Sequence, residues 1–249
     1  MIYFLLPAYN EEQSIGLQLK EIKEVTTDLQ LKYQTVIIDD GSTDSTSRKL
    51  QKWSTRIPLE VITHEKNQGA GKAFAHGFDK ICETASNDDI IITLDADRTQ
   101  PIKLVHQMIH EIQKGYDVVI SSTLATGGTM IGVPWLRRIL SRGCNLIYRT
   151  FFPIKGVREY TGFYRAYSVS ALRMTRKKWG NRMIESDGFV AMAELLLKFR
   201  RLPLVMTEVP TILRYDFKSG ASKMRIVKTI KDHLNIMVRH MFTDRKRIL

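Results

Sequence analysis

With 249 residues, 43% of them hydrophobic, the chain has the material for one large α/β domain or two small ones, and this composition excludes intrinsic disorder. Its 38 Lys and Arg against 26 Asp and Glu give a net charge of +12, which suits a polyanionic partner: nucleic acid, a phosphorylated substrate or an anionic bilayer. Cys82 and Cys144 lie far apart in apolar contexts without metal-ligand spacing, so they read as inert thiols of a reducing, cytoplasmic compartment.

The first apolar run, Ile2-Tyr3-Phe4-Leu5-Leu6, has no basic leader and is cut short at Pro7, which predicts a strand rather than a signal peptide. Further strands are expected at Thr35 to Ile38, Leu59 to Thr63, Ile90 to Leu94 and Asp117 to Ser121. Between them, helical spacing shows in Ile15, Leu19, Ile22 and Val25, and in Leu104, Val105, Met108, Ile109 and Ile112. The alternation predicts a mostly parallel sheet with crossover helices, in which ligands collect beyond the carboxyl ends of the strands. No apolar stretch approaches the ~18 residues that a spanning helix needs, so any membrane contact is expected to be peripheral.

Each early strand runs into a polar cluster. The first leads to Pro7-Ala8-Tyr9-Asn10-Glu11-Glu12, the second to Asp39-Asp40-Gly41-Ser42-Thr43-Asp44, the third to Asn67-Gln68-Gly69-Ala70-Gly71-Lys72-Ala73 and the fourth to Asp95-Ala96-Asp97. Locally, Asn10 or Ser42 would cap the helix that follows, and Gly69 with Gly71 would permit a tight turn. The glycine segment lacks the first glycine and the Ser/Thr of a P-loop, and Phe74 stands at the third glycine of a dinucleotide fingerprint, so both readings fail. What remains is a glycine loop opening a helix, whose amides and Lys72 face an anion. Asp95 and Asp97, two carboxylates one residue apart at a strand end, suit Mg²⁺ or Mn²⁺ held together with the phosphates of a nucleoside diphosphate.

Taken in this order, the four clusters resemble those of the family-two inverting glycosyltransferases, and within them the polyprenyl-phosphate enzymes such as dolichol-phosphate mannosyltransferase. The resemblance continues through Glu159-Tyr160-Thr161-Gly162-Phe163-Tyr164-Arg165-Ala166-Tyr167, Glu208-Val209-Pro210 and Gly220-Ala221-Ser222-Lys223-Met224, nearly the whole chain. It implies a glycosyltransferase A-type α/β domain over residues 1–222, with a nucleotide-sugar half at about 1–122, an acceptor-side half at about 123–222, and a basic amphipathic helix over 223–249.

The resemblance further implies that Pro7, Tyr9, Glu11, Ile38 and Asp40 hold the nucleoside of a GDP- or UDP-hexose, with Asp40 accepting from the base. Asp95, Ala96 and Asp97 would meet the diphosphate and metal, and Lys223 would reach the donor phosphates. Three positions depart from the family pattern. Thr99 stands where a glutamine is common, with Gln100 beside it, leaving both as candidates for a third metal ligand; Ser121-Ser122-Thr123 lacks the phosphate-binding arginine; and Phe217 replaces a basic residue, leaving Lys218 or Arg214 to substitute.

Two basic amphipathic segments follow. Met130 to Ile154 mixes Trp135, Leu136, Ile139, Leu146, Ile147 and Phe151 with Arg137, Arg138, Arg142 and Arg149; Lys223 to Leu249 mixes Ile226, Val227, Ile230, Leu234, Met237 and Met241 with Lys228, Lys231 and Arg239. Each reads either as an interfacial helix on an anionic membrane or as a core-packing helix with a solvated basic face. The resemblance implies transfer of a mannose- or glucose-type hexose to polyprenyl phosphate on the cytoplasmic membrane face, for which no general base is needed. A hydroxyl acceptor would need one, with Glu159 and Asp187 as candidates. A non-catalytic subunit that binds nucleotide or membrane is the third reading. His106 and His110 lack a third ligand, and no nucleic-acid module is present, so nucleic acid is not an expected partner.

Overall fold

The computed structural model describes residues 1–218 and 226–245. In chain order the strands are β1 (Ile2–Ala8), β2 (Tyr33–Asp39), β3 (Leu59–Thr63), β4 (Ile90–Thr93), β5 (Val118–Ser122), β6 (Thr129–Ile131), β7 (Arg165–Ser168), β8 (Met206–Pro210) and β9 (Ile212–Arg214). The helices are α1 (Ile15–Asp28), α2 (Thr46–Trp53), α3 (Ala70–Thr84), α4 (Val105–Gln113), α5 (Trp135–Phe151), α6 (Val169–Trp179), α7 (Ala191–Phe199) and α8 (Ile226–Arg245). Seven strands form one sheet in the order β3-β2-β1-β4-β7-β5-β8, and β6 pairs with β9 in a small second sheet.

The large sheet is parallel except for β7, which runs antiparallel between β4 and β5. One face is covered by α1, α2 and α4 through Ile15, Leu19, Ile22, Leu50, Val105 and Met108; the other by α3, α6 and α7, with Tyr148 of α5, Phe152 just after it, and Ile236 and Met237 of α8 completing that core. Strands buried on both faces read as continuous apolar runs, which is why β1, β2, β4 and β5 are legible, whereas β3, half-buried at the sheet edge, is marked by its Val and Ile.

Pro7 does not end β1. The strand continues to Ala8, with Pro7 opposite Ile38, while β4 stops opposite Leu5. Beyond Leu5 one side of β1 is an edge, where the missing N–H of a proline breaks no ladder. The crevice at the carboxyl ends of β1, β2 and β4 lies where the strand order reverses, the place at which open α/β sheets bind ligands.

Candidate functional site

The clusters after β1 and β2 are stitched to each other rather than used as simple helix caps. Asn10, at φ +51°, donates its backbone N–H to Ser42 Oγ (3.0 Å) and accepts from Thr43 N at Oδ1 (2.8 Å). Glu11 N donates to Thr46 Oγ1 (2.8 Å), and Glu12 exchanges bonds with the Asp44–Ser45 segment. The positive φ suits asparagine, which tolerates the left-handed region better than most residues. These bonds fix the crevice wall formed by Pro7, Tyr9 and Glu11. Ile38 does not reach it: its side chain is sealed in the core against the α3 face of the sheet, so its part is packing.

Asp40 does line the crevice, and it is heavily engaged. Its Oδ1 accepts from His64 Nδ1 (2.7 Å) and Gln68 N (2.9 Å), its Oδ2 from Gly69 N (2.8 Å). The glycine loop therefore turns two amides inward to Asp40, and the Gly71 amide goes to Asp187 O (2.8 Å). That use replaces the expected anion cradle. Both glycines are required by close approach: a Cβ at Gly69 would stand 2.2 Å from Asp187 O, and one at Gly71 1.8 Å from Ser186 O. Lys72 is not among the cavity-lining residues; it is exposed and pairs at 3.5 Å with Asp187, which does line the cavity.

The turn after β4 carries the carboxylate pair. Arg98 adopts φ +64° and is tied to Glu21 of α1 (Nε to Oε1, 3.0 Å), which clamps the reversal that follows Asp97. Gln100 is bonded at both ends to Asp95, accepting from its N–H (2.9 Å) and donating to Oδ2 (2.8 Å). Thr99 donates its N–H (3.1 Å) and its hydroxyl (2.8 Å) to Asp97 Oδ1. Thr99 and Gln100 thus hold the two carboxylates in place, and Lys218 forms an ion pair with Asp97 Oδ2.

Burial, reinforced by the charge of Asp97, raises the Asp95 pKa far above the usual carboxylate range, and Lys218 only partly offsets this. For Lys218 itself, the lowering by burial is outweighed by Asp97 and Asp95, and its pKa is raised. Two such carboxylates would accept a hard divalent cation with oxygen ligands, and their environment favours one, since added positive charge relieves the repulsion. Among the described residues no group of three or more His, Cys, Asp or Glu forms a self-sufficient metal cage. The donor set fits the mode in which one or two carboxylates share the ion with substrate phosphates.

On the far side of the crevice, Glu159 is 4% exposed and accepts three hydrogen bonds: Thr123 Oγ1 (3.0 Å) donates to Oε2, and Asn145 Nδ2 (2.9 Å) and Thr161 Oγ1 (2.8 Å) donate to Oε1. Its backbone N–H donates to Glu208, whose own pKa is raised by burial. Asp187 is the opposite case, more than half exposed on the cavity wall. The loop carrying it is held by buried Glu194, which accepts from Glu185 N (3.2 Å) and Ser186 N (2.9 Å) and is paired with Lys198 (2.7 Å) and Arg239 (3.0 Å).

These walls enclose a cavity of about 1120 Å³ with two unlike ends. The acidic end holds Glu11, Asp40, Asp95 and Asp97 with Lys218 and Arg137. The other is an apolar trough between α5 and α8, lined by Ile139, Leu140 and Ile147 and by Ile226, Ile230, Leu234 and Met237. Tyr148 OH and His233 Nδ1, 2.8 Å apart, join the two helices beneath it. Outside the trough, Trp135 (69% exposed), Leu136, Leu146 and Phe151 face solvent, so α5 is no ordinary core helix. Lys223 lies outside the described residues, and Arg214 is occupied by Asp216 (2.7 Å). No helix among the described residues is long and apolar enough to cross a membrane.

Sequence reasoning missed His64, Asn145, Glu194 and Arg98. Their partners Asp40, Glu159, Ser186 and Glu21 lie 24, 14, 8 and 77 positions away, so no short-range motif marks them.

A family model for glycosyl transferase family 2 matches residues 3–175. Dolichol-phosphate mannosyltransferase of Pyrococcus furiosus is 28% identical over 239 residues, covering 95% of this chain and 62% of that protein, so the chain spans less than two thirds of that relative's length. Polyprenol monophosphomannose synthase of Mycolicibacterium smegmatis is 25% identical over 222 residues, covering 88% of this chain and 79% of that protein. Among solved structures, glucosyl-3-phosphoglycerate synthase of Mycobacterium tuberculosis, in complex with Mn²⁺, UDP-glucose and phosphoglyceric acid, superposes with a TM-score of 0.70 at 18% identity, over 97% of this chain and 79% of that one. At that identity the likeness is one of fold, the α/β architecture of glycosyltransferase A type.

Proposed function

The chain belongs to glycosyl transferase family 2, and we propose that it is an inverting hexosyltransferase that moves a mannose- or glucose-type sugar from a nucleotide sugar to a polyprenyl phosphate at the cytoplasmic face of a membrane. The observation that carries this reading is the continuity of the cavity: an acidic end suited to a metal-bound diphosphate opens into an apolar trough suited to a prenyl chain. The two relatives named for dolichol-phosphate and polyprenol-phosphate mannosyl chemistry support the same acceptor class.

In an inverting transfer the acceptor attacks the anomeric carbon in line as the nucleoside diphosphate departs, and charge grows on the leaving oxygens. Asp95 and Asp97 would hold Mg²⁺ or Mn²⁺, which when bound neutralises that charge as a Lewis acid. Lys218, paired with Asp97, stands beside the position the diphosphate would take. Arg137 of α5 lines the same end of the cavity, against Tyr215 OH (2.7 Å), and supplies the cation that Ser121-Ser122-Thr123 lacks. A polyprenyl monophosphate has a second pKa near ~6, by analogy with other phosphate monoesters, and is already an anion at neutral pH, so no side chain need take a proton. The three donors on Glu159 come from α5, from the loop after β5 and from the loop before β7, so this carboxylate has a ready structural role in fixing α5 against the sheet.

The exposed apolar stripe of α5 and the row Val227, Ile230, Leu234 and Val238 on α8, flanked by Arg138, Arg142, Lys228 and Lys231, fit an anionic membrane surface. Incubation with Mg²⁺ or Mn²⁺, a panel of nucleotide hexoses and short polyprenyl phosphates is expected to yield glycolipid; none across the panel would defeat the proposal. The accessible Asp187 on the cavity wall favours a second reading, transfer to a sugar hydroxyl with Asp187 as base. Asp187→Asn distinguishes the two, since a hydroxyl acceptor predicts a loss of ~10²–10⁴-fold and a phosphate acceptor largely retained turnover.

A further inference from the structure

Resting on the nucleotide-sugar reading above, we propose that the cavity selects a donor whose base carries a single ring N–H, of uracil type, and that His64 is the positioning residue that enforces the choice. An ionised carboxylate offers about four lone-pair sites on two oxygens. In Asp40, both sites of Oδ1 are taken, by His64 Nδ1 at 2.7 Å and Gln68 N at 2.9 Å, and one of Oδ2 is taken by Gly69 N at 2.8 Å. One acceptor position on Oδ2 is left for a ligand in the cavity that Asp40 lines.

The engagement of Oδ1 is built in. His64 is 8% exposed and its backbone N–H donates to Asp39 O at 2.9 Å. Its Nε2 lies 3.0 Å from His76 Nδ1, with the two rings 5° from parallel. Because a carboxylate only accepts, His64 Nδ1 carries the proton, and in the neutral ring Nε2 then accepts from His76. The imidazole is thus held from both sides, and Gln68 and Gly69 belong to a loop fixed by the contacts of Gly69 and Gly71 with Ser186 and Asp187.

The three base edges meet this site differently. Uracil presents one ring N–H between two carbonyls, which one acceptor satisfies. Guanine presents a ring N–H and an exocyclic amino group side by side, a pair that matches two carboxylate oxygens; with Oδ1 filled, one donor is left without its partner. Cytosine presents an exocyclic amino donor beside a ring acceptor, so the free position on Oδ2 can take the amino hydrogen only with the ring nitrogen turned towards the carboxylate, which repels it. A site whose hydrogen-bonding capacity is used up in this way discriminates strongly, since a buried group left unpaired is costly.

The test is calorimetry on the full chain with Mn²⁺, comparing UDP, GDP and CDP. UDP is expected to bind at least about ten-fold more tightly than either GDP or CDP. His64→Ala, which frees a site on Oδ1, is expected to bring GDP within about three-fold of UDP, whereas His64→Asn, which keeps an N–H donor, retains most of the preference. Equal or tighter GDP binding by the unmodified chain would overturn the inference and leave the glycosyltransferase reading standing; failure of all three nucleotides to bind would remove both. A well-folded His64→Ala protein with an unchanged UDP to GDP ratio would remove His64 from the account. If that variant does not fold, His76→Ala decides, with a reduced ratio expected and an unchanged one counting against the proposal.

Discussion

The two ends of the cavity are made in opposite ways. At the proposed donor end, the loops after β1, β2 and β3 bond to one another and the loop after β4 bonds within itself, so Asp40, Asp95 and Asp97 sit in a fixed polar frame. At the acceptor end, α5 and α8 contribute apolar side chains, many of them in solvent, joined beneath by the Tyr148–His233 bond and their shared core. A preorganised polar site suits a ligand of fixed shape and growing charge, whereas a pliable apolar trough suits a chain with many conformers. Changes at the donor end should therefore abolish chemistry, and changes at the acceptor end should alter partition and affinity.

The sharpest way to break this contrast is Asp97→Ala, which is expected to lower turnover by about 10³-fold or more under saturating substrate, in line with the loss of a major charge-stabilising group. Steady-state kinetics that show less than a ten-fold loss would dissolve the contrast. Next, Trp135→Glu with Phe151→Glu is expected to weaken binding to vesicles containing anionic lipid by about ten-fold or more while leaving nucleotide affinity within about two-fold, as co-sedimentation and calorimetry would measure. Equal loss of both would mean that the two ends are not separable.

A third change probes the frame itself. Gly71→Ala places a methyl group 1.8 Å from Ser186 O, so backbone must shift; a destabilisation of about 1–3 kcal/mol or more is expected in urea unfolding, with weaker nucleotide binding as the Asp187 segment is pushed off the loop. The last effect is on pH. Burial pushes His233 down to about 4; burial and then the Arg201 and Arg239 charges push His240 down to about 4. The unfolded chain takes up these protons near pH 6.5 and the folded one only near 4, so stability is constant above about 6.5 and falls as pH drops, by about 2 kcal/mol for each ring at pH 5 and about 3 kcal/mol near pH 4. Denaturation midpoints at pH 7 and pH 5 measure this, and His240→Phe should flatten the difference.

What was legible in the sequence follows the same division. The strands β1 to β5, their polar ends and the Asp95 and Asp97 pair stand out because continuous apolar runs and short-range spacing encode them. The strand β7 does not: it has four residues, and Arg165, fully buried at its start, contradicts the usual rule for charged side chains until its guanidinium is seen donating to Met192 O and Tyr160 O, both at 2.7 Å. Glu159 reads as a candidate base because sequence shows a carboxylate but not its donors, and Ile38 is carried over as a nucleoside contact by the family resemblance, which gives a position but not the direction of its side chain. The helix α5 was open between two readings, and its exposed Trp135 and Phe151 turn on burial, which no single sequence displays.

The central claim is that the carboxylates after β4 grip a cation shared with the donor diphosphate. Crystals grown with Mn²⁺ and a nucleoside diphosphate test it most directly through the anomalous signal of manganese. The account predicts one peak roughly 2.1 Å from a carboxylate oxygen of Asp95 or Asp97 and bridging to the diphosphate. A nucleotide seated in the crevice with its phosphates held by lysine and arginine alone, and no peak beside those two residues, would contradict it.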